Sequence, residues 1–164
     1  MTLLVPFDGS ELARNALEKA TEFGELLDEE VVVLTVVPDD DEYARERGWI
    51  TEGEPFDLEA VESGMAEYAA ETAPEATVRT ERVSSDEPTA TATKNVVREI
   101  RRVAADVEAS VVFIGSENAG SVIAPQSSVG GPVASDQRYD VYVVRRPEEA
   151  VEPEEITDID SMID

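Results

Sequence analysis

Residues 31–37 constrain the fold of this chain more than any other segment. They are apolar at nearly every position and mostly β-branched, which is typical of a central parallel strand covered on both faces. Pro38 and three consecutive aspartates, residues 39–41, end the run. The segment predicts an α/β protein in which helices pack on both sides of a sheet.

Four other segments are predicted to complete a parallel sheet. Residues 3–7 are an apolar run that leads into the turn residues Asp8-Gly9-Ser10. Residues 77–83 alternate in polarity, as in a half-buried edge strand. Residues 111–114 predict a buried strand that ends at Gly115, and residues 141–144 predict the last strand. Strands that alternate with helices at this spacing indicate right-handed crossover connections.

Three amphipathic helices are predicted between these strands. Ser10 is a plausible N-cap of the first helix and Asp57 of the second, while the third spans residues 96–107. Residues 42–55 lack a clear period and are interpreted as a surface connection, with Trp49 and Ile50 folding back onto the body. A short helix is expected after Pro132. The apolar positions that define the stripe of the second helix are Leu58, Val61, Met65, Tyr68 and Ala69.

Length and charge bound the organisation of the protein. The chain has 164 residues, which is enough for one core and predicts one domain over residues 1–146. Residues 147–164 are rich in proline and acidic residues and are predicted to be a solvated tail.

Thirty-eight acidic and thirteen basic residues give a formal charge of -25, and the acids are spread along the whole chain. This distribution indicates a surface adapted to high salt and a halophilic host, because molar salt screens carboxylate repulsion.

Several classes of function are disfavoured by composition. The chain has no cysteine and no histidine, which excludes a thiolate metal site and serine–histidine hydrolysis. The absence of a basic patch disfavours nucleic-acid binding. The aspartates at 39–41 are more simply a solvated acidic loop than a metal site. The sequence contains no predicted signal peptide or membrane span, so a cytoplasmic protein without a membrane partner is expected.

Two loops have the composition and position of a ligand site. In an open parallel sheet, ligands bind beyond the carboxyl ends of strands where the strand order reverses. The turn at Asp8 follows the first predicted strand, and a stretch rich in serine and glycine, residues 115–131, follows the fourth. Asp8 would accept hydrogen bonds from a ligand, and the second loop would offer backbone N–H groups to a phosphate. The alternative interpretations are that Asp8-Gly9-Ser10 is only a turn and a helix cap and that residues 115–131 are a flexible loop and not a phosphate cradle.

These segments together resemble the universal stress protein family. The resemblance rests on the opening Leu-Val-Pro-Phe-Asp-Gly-Ser at residues 4–10, on Leu-Thr-Val at 34–36, on Val-Phe-Ile-Gly-Ser at 112–116 and on Val-Tyr-Val-Val-Arg at 141–145. Ser128 and Val129 match the segment between the last two. The resemblance implies a Rossmann-like open sheet, similar to that of the adenine nucleotide alpha hydrolases, with strand order 3-2-1-4-5. It also implies a homodimer formed through the last strand, at Val141 and Val143.

The resemblance implies a nucleotide site in some members of the family, marked by the glycine motif G-x-x-G-x9-G-[ST]. Gly115 matches its first glycine, but the second and third fall on Asn118 and Ser127, with one residue fewer between them than the motif has. Ser128 matches the final hydroxyl residue. The positions that match the family's adenine and ribose pocket are Pro6, Asp8, Val36, Ile114, Gly115 and Val129. ATP with Mg²⁺ is the ligand that this site would take.

Two functions follow as hypotheses. The first is a stress-response protein regulated by ATP in the crevice between the loops after strands one and four. The second is a dimeric protein-interaction module of the same fold that binds no nucleotide and whose partner is unknown. No lysine or arginine lies between Gly115 and Gln137, so a triphosphate there would depend on backbone dipoles and a cation. Slow ATP hydrolysis ranks behind both hypotheses because the sequence indicates no general base.

Overall fold

The computed structural model describes residues 1–84, 92–116 and 139–145. In chain order the elements are β1 (Thr2–Pro6), α1 (Glu11–Leu27), β2 (Glu30–Pro38), α2 (Asp41–Glu46), α3 (Leu58–Thr72), β3 (Thr77–Val83), α4 (Ala92–Asp106), β4 (Ala109–Gly115) and β5 (Asp140–Val144). The expected helix after Pro132 and the expected tail lie outside the described residues. Among the described residues, no helix combines the length and the apolar character needed to cross a bilayer.

The five strands form one parallel sheet in the order β3-β2-β1-β4-β5. This confirms the strand order predicted from the resemblance and the assignment of residues 77–83 to an edge. β1 pairs with β2 on one side, where Pro6 aligns with Leu34, and with β4 on the other, where Leu4 aligns with Val112. The carboxyl ends of β1, β2 and β4 therefore lie side by side.

Helices cover both faces of the sheet, as predicted. Small residues on α1, including Ala13, Ala16 and Ala20, pack with Leu3 and Phe113 on one face, where α3 also contributes. Ile100 and Val103 of α4 pack against β1 and β2 on the other face. β2 is buried from Val32 to its end, because it lies between two strands and is covered from both sides. The central position inferred from its composition is confirmed.

The caps of α1 and α3 are those predicted. The Ser10 hydroxyl accepts a hydrogen bond from the Ala13 N–H at 3.2 Å, and the Asp57 carboxylate accepts one from the Ala60 N–H at 3.2 Å. Each cap satisfies one of the backbone donors that a helix N-terminus leaves unpaired. The residues just before these helices thus fix where each helix begins.

The interpretation of residues 42–55 as an irregular connection is wrong in its first part. Residues 41–46 form α2, and its N-cap is Asp40, whose side chain accepts a hydrogen bond from the Tyr43 N–H at 3.1 Å. The acidic run at 39–41 is therefore partly a helix start, since aspartate favours the N-cap and the positive end of the helix dipole. Six residues are too few to show a helical period. Ile50 is buried, which confirms that this segment folds back onto the body.

Candidate ligand crevice

A crevice opens at the carboxyl ends of β1, β2 and β4. It contains about 530 Å³ of space free of atoms, a volume that includes open solvent. Its floor comes from the strand ends, one wall from α4, and its cover from α2 and the residues that follow it. The lining residues are Pro6, Phe7, Asp8, Leu34, Val36, Tyr43, Arg47, Trp49, Thr93, Val96, Val97, Ile100 and Ile114.

Asp8 is the acidic residue of this lining, and all of its acceptor oxygens are engaged. Its Oδ1 accepts a hydrogen bond from the Ser10 N–H at 3.0 Å. Its Oδ2 accepts one from Nη1 of Arg47 at 2.8 Å, and its backbone carbonyl accepts one from the Trp49 indole N–H at 2.8 Å. Asp8 therefore holds its own turn and also attaches the segment after α2 to the end of β1.

The ion pair between Asp8 and Arg47 is partly shielded from solvent. The two side chains are 17% and 23% exposed, respectively, so water screens the pair less than it screens a surface pair. The guanidinium carbon of Arg47 also lies 4.9 Å from the centre of the Tyr43 ring, within the range of a cation–π contact. Arg47 is thus oriented by both a carboxylate and an aromatic face.

Aromatic side chains build the cover of the crevice. Tyr43 and Trp49 pack edge to face, with ring centres 5.5 Å apart. Burial raises the pKa of the Tyr43 phenol, an effect that the Arg47 charge opposes and the Asp8 charge reinforces. Tyr43 therefore stays neutral at physiological pH, and the described residues give the crevice lining one acidic and one basic side chain within a mostly apolar surface.

Gly115 has a structural role in addition to its match to the glycine motif. A Cβ on this residue would lie 2.8 Å from the Cβ of Leu12, closer than real side chains approach. Gly115 is buried where β4 ends beside the first turn of α1. The absence of a side chain here lets β4 and α1 come together, next to Ile114, which lines the crevice.

The structure brings four of the predicted site residues into one lining: Pro6, Asp8, Val36 and Ile114. Gly115 adjoins Ile114 at the end of β4 but is not among the lining residues. The remaining predicted site residues, Asn118, Ser127, Ser128 and Val129, lie outside the described part of the chain. The assignment of these residues to a nucleotide site stays a prediction.

Sequence reasoning did not place Tyr43, Arg47 and Trp49 at the site. The loop after β4 has no lysine or arginine between Gly115 and Gln137, whereas Arg47 reaches the crevice from the segment after β2. The sequence does contain a signal for these residues. β2 is a parallel strand next to β1 and ends at the same edge of the sheet, so the first polar and aromatic residues after β2 are candidates for the site. Val96, Val97 and Ile100 of α4 also line the crevice and were predicted only as parts of a helix. Thr93 lies in α4 as well, ahead of the predicted helix start at residue 96.

Within residues 1–84, 92–116 and 139–145, no three acidic side chains come close enough to hold a metal ion. The aspartates near the crevice have other partners. Asp40 caps α2, and Asp41 accepts a hydrogen bond from Arg45 at 2.9 Å, which lowers the pKa of Asp41. The chemistry that the described residues offer to a ligand is hydrogen bonding, apolar contact and charge pairing.

A parallel sheet in the order β3-β2-β1-β4-β5, with a crevice where the order reverses beside β1, defines a Rossmann-like α/β protein. The model of the universal stress protein family matches residues 1–145. The chain belongs to that family. A search of curated protein sequences found no match.

Solved structures of family members share this fold at low sequence identity. A universal stress protein family protein from Arabidopsis thaliana, determined with AMP bound, is 12% identical with a TM-score of 0.53, covering 93% of this chain and 96% of its own. A family member from Burkholderia pseudomallei is 18% identical with a TM-score of 0.51, covering 89% and 95%. One from Archaeoglobus fulgidus is 22% identical with a TM-score of 0.50, covering 90% of this chain and 45% of its own.

Proposed function

We propose that this universal stress protein binds an adenine nucleotide in the crevice at the ends of β1, β2 and β4. The observation that carries the proposal is the pairing of Asp8 and Arg47 inside an otherwise largely apolar crevice. Apolar walls suit a planar base, and a small number of placed polar groups gives a site its specificity. The AMP bound to the Arabidopsis protein of the same fold supports the choice of ligand class.

Each part of the nucleotide has a corresponding surface. Val36 and Ile114 are almost completely buried at the floor and would contact the base. Asp8 would accept hydrogen bonds from ribose hydroxyl groups, since a carboxylate is a strong acceptor. We place Mg²⁺, when present, on the phosphates of the nucleotide and not on Asp8, because the Asp8 carboxylate already faces the Arg47 guanidinium.

We propose that this protein works in the salt-rich cytoplasm of a halophile. The support is the formal charge of -25 and its spread over the chain, which molar salt would screen. In the same setting, occupancy of the crevice by ATP would regulate a stress response. Nucleotide binding is the expected activity, with at most slow hydrolysis of ATP.

The test is equilibrium binding of ATP and AMP, with and without Mg²⁺, in molar KCl. Asp8→Ala is expected to weaken binding about tenfold or more, the size of one lost charge-assisted hydrogen bond. Asp106→Ala is the matched control: its carboxylate accepts a 2.9 Å hydrogen bond from Arg79, and it does not line the crevice. Circular dichroism verifies that each variant is folded. A folded wild-type protein that binds no nucleotide at millimolar concentration contradicts the proposal.

The second candidate function is a dimeric interaction module that works through β5. Among the described residues, β5 is the last strand in the sheet order and pairs with β4, so its other edge would offer backbone donors and acceptors to a second copy. Val141 and Val143 are half-buried. Sedimentation in molar KCl is expected to give a dimer that Val141→Lys weakens. Val83→Lys, at the opposite edge strand, serves as the control, and a monomeric wild type contradicts this assembly.

A further inference from the structure

The partly buried Arg47–Asp8 ion pair determines which chemical groups a ligand of the crevice has to offer. A ligand that uses the Asp8 carboxylate competes with the guanidinium that already donates to Oδ2 at 2.8 Å. Oδ1 is in turn used by the Ser10 N–H within the same turn. Each carboxylate oxygen has a second lone pair that can accept a hydrogen bond, so a ligand donor at Asp8 would either share the carboxylate with Arg47 or replace Arg47 there.

Replacing Arg47 at Asp8 has an energetic cost that depends on the rest of the ligand. When one partner of a shielded ion pair loses the other, its charge loses a favourable interaction in a poorly screening environment. A bare nucleoside offers hydroxyl donors to Asp8 but no anionic group to Arg47. A nucleoside phosphate offers both, because the planar guanidinium fork matches phosphate oxygens well.

Arg47 is also positioned to make this exchange. Its guanidinium is held above the Tyr43 ring, and Trp49, two residues later, is attached to the Asp8 carbonyl. These two contacts keep the side chain within the crevice when the carboxylate changes partner. A phosphate near Asp8 would then lie within reach of Arg47.

We propose that Arg47 is a specificity-determining residue that makes the crevice prefer nucleoside phosphates to nucleosides. The inference rests on the proposed function. It adds that the phosphate of the ligand is recognised by Arg47, a residue outside the glycine-motif loop. Arg47 takes the phosphate while Asp8 takes the ribose hydroxyls, so the internal ion pair is exchanged for two ligand contacts.

The experiment compares the affinities of adenosine and AMP for the wild type, Arg47→Gln, Arg47→Lys and Arg45→Gln in molar KCl. Binding can be followed by the emission of Trp49, the one tryptophan of the chain. Arg45→Gln is the matched control because it removes the same charge from α2 at an exposed residue that pairs with Asp41 and does not line the crevice. Circular dichroism shows whether each variant is folded.

The wild type is expected to bind AMP more tightly than adenosine, and Arg47→Gln to reduce that ratio about tenfold, mainly by weakening AMP. Arg47→Lys should retain part of the preference because it keeps the charge, and Arg45→Gln should retain all of it. Equal wild-type affinities for both ligands, or an Arg47→Gln variant with an unchanged ratio, overturn this inference and leave the proposed function standing. A folded wild type that binds neither ligand overturns both.

Discussion

Asp8 joins three parts of the chain through three different oxygens. One carboxylate oxygen holds the turn into α1, the other holds Arg47, and the backbone carbonyl holds the Trp49 indole. The functional interpretation of Asp8 and the simpler interpretation as a turn residue are therefore not exclusive. A substitution at Asp8 affects local structure as well as the crevice, which is why its binding test needs a measurement of folding.

A second residue-scale feature is the hydroxyl group of Thr35 in β2. Thr35 is completely buried, and its Oγ1 has no hydrogen-bond partner among the residues that the structure describes. A buried polar group without a partner keeps its desolvation cost. Thr35→Val is therefore expected to raise the free energy of unfolding by about 1 kcal/mol.

Denaturant unfolding at constant salt measures this change. The control is Thr21→Val, because the Thr21 hydroxyl donates to the Leu17 carbonyl at 2.8 Å. Removing this paired hydroxyl is not expected to raise the free energy of unfolding. A Thr35→Val variant that is less stable than the wild type would show that the hydroxyl has a favourable interaction in the folded protein.

At the scale of elements, the short helix α2 determines the character of the site. The strands and long helices supply an apolar crevice and one carboxylate, whereas α2 and the residues after it supply the cation and the aromatic cover. Their attachment to β1 consists of a few polar contacts, and Ile50 adds an apolar anchor in a cluster with Val37, Ala44 and Val61. The long elements thus form the frame, and this segment gives the crevice its chemistry.

The packing of α1 against β4 leads to a prediction on two glycines. Gly115→Ala would place a Cβ 2.8 Å from that of Leu12, so α1 or β4 must shift, and a loss of about 1–3 kcal/mol is expected. Gly64 lies within α3, and a Cβ there meets no atom within 4 Å. Gly64→Ala should instead stabilise the protein by about 0.5–1 kcal/mol, the difference in helix propensity.

Thermal or denaturant unfolding of the two alanine variants provides the comparison, since each adds the same methyl group. Opposite signs are expected. A Gly115→Ala variant as stable as the wild type would mean that the first glycine of the motif is not required for packing.

At the scale of the whole molecule, charge is the dominant feature. The described structure pairs several arginines with carboxylates on its surface, among them Arg82 with Glu62 and Arg79 with both Glu81 and Asp106. These carboxylates raise the pKa values of the arginines. The sequence has thirty-eight acidic and thirteen basic residues, so acidic side chains greatly outnumber the cationic ones.

Transfer from molar KCl to dilute buffer is therefore expected to lower the melting temperature. The Debye length is about 3 Å at 1 M salt and about 10 Å at 0.1 M, so repulsion among carboxylates grows as salt is removed and destabilises the compact state. Differential scanning calorimetry across a KCl series measures the effect. A melting temperature that is unchanged or higher in dilute buffer contradicts the proposed adaptation to salt.

The sequence by itself determined the elements whose patterns are local. The apolar run in β2, the alternation in β3, and the caps Ser10 and Asp57 each depend on neighbouring residues, so they can be read along the chain. The order of the strands came from the family resemblance. Four site residues, from Pro6 to Ile114, were identified from their positions in matched motifs.

Only the tertiary structure decided which side chains meet in the crevice. Asp8 and Arg47 are separated by 39 positions, and no periodicity links them. Their contact arises because β1 and β2 are neighbours whose carboxyl ends share one edge, and because α2 turns the following residues back over that edge. The packing requirement at Gly115 likewise depends on the approach of α1 to β4. Local patterns encode helices and strands, whereas the charge pair that completes this site exists only once the sheet has been assembled.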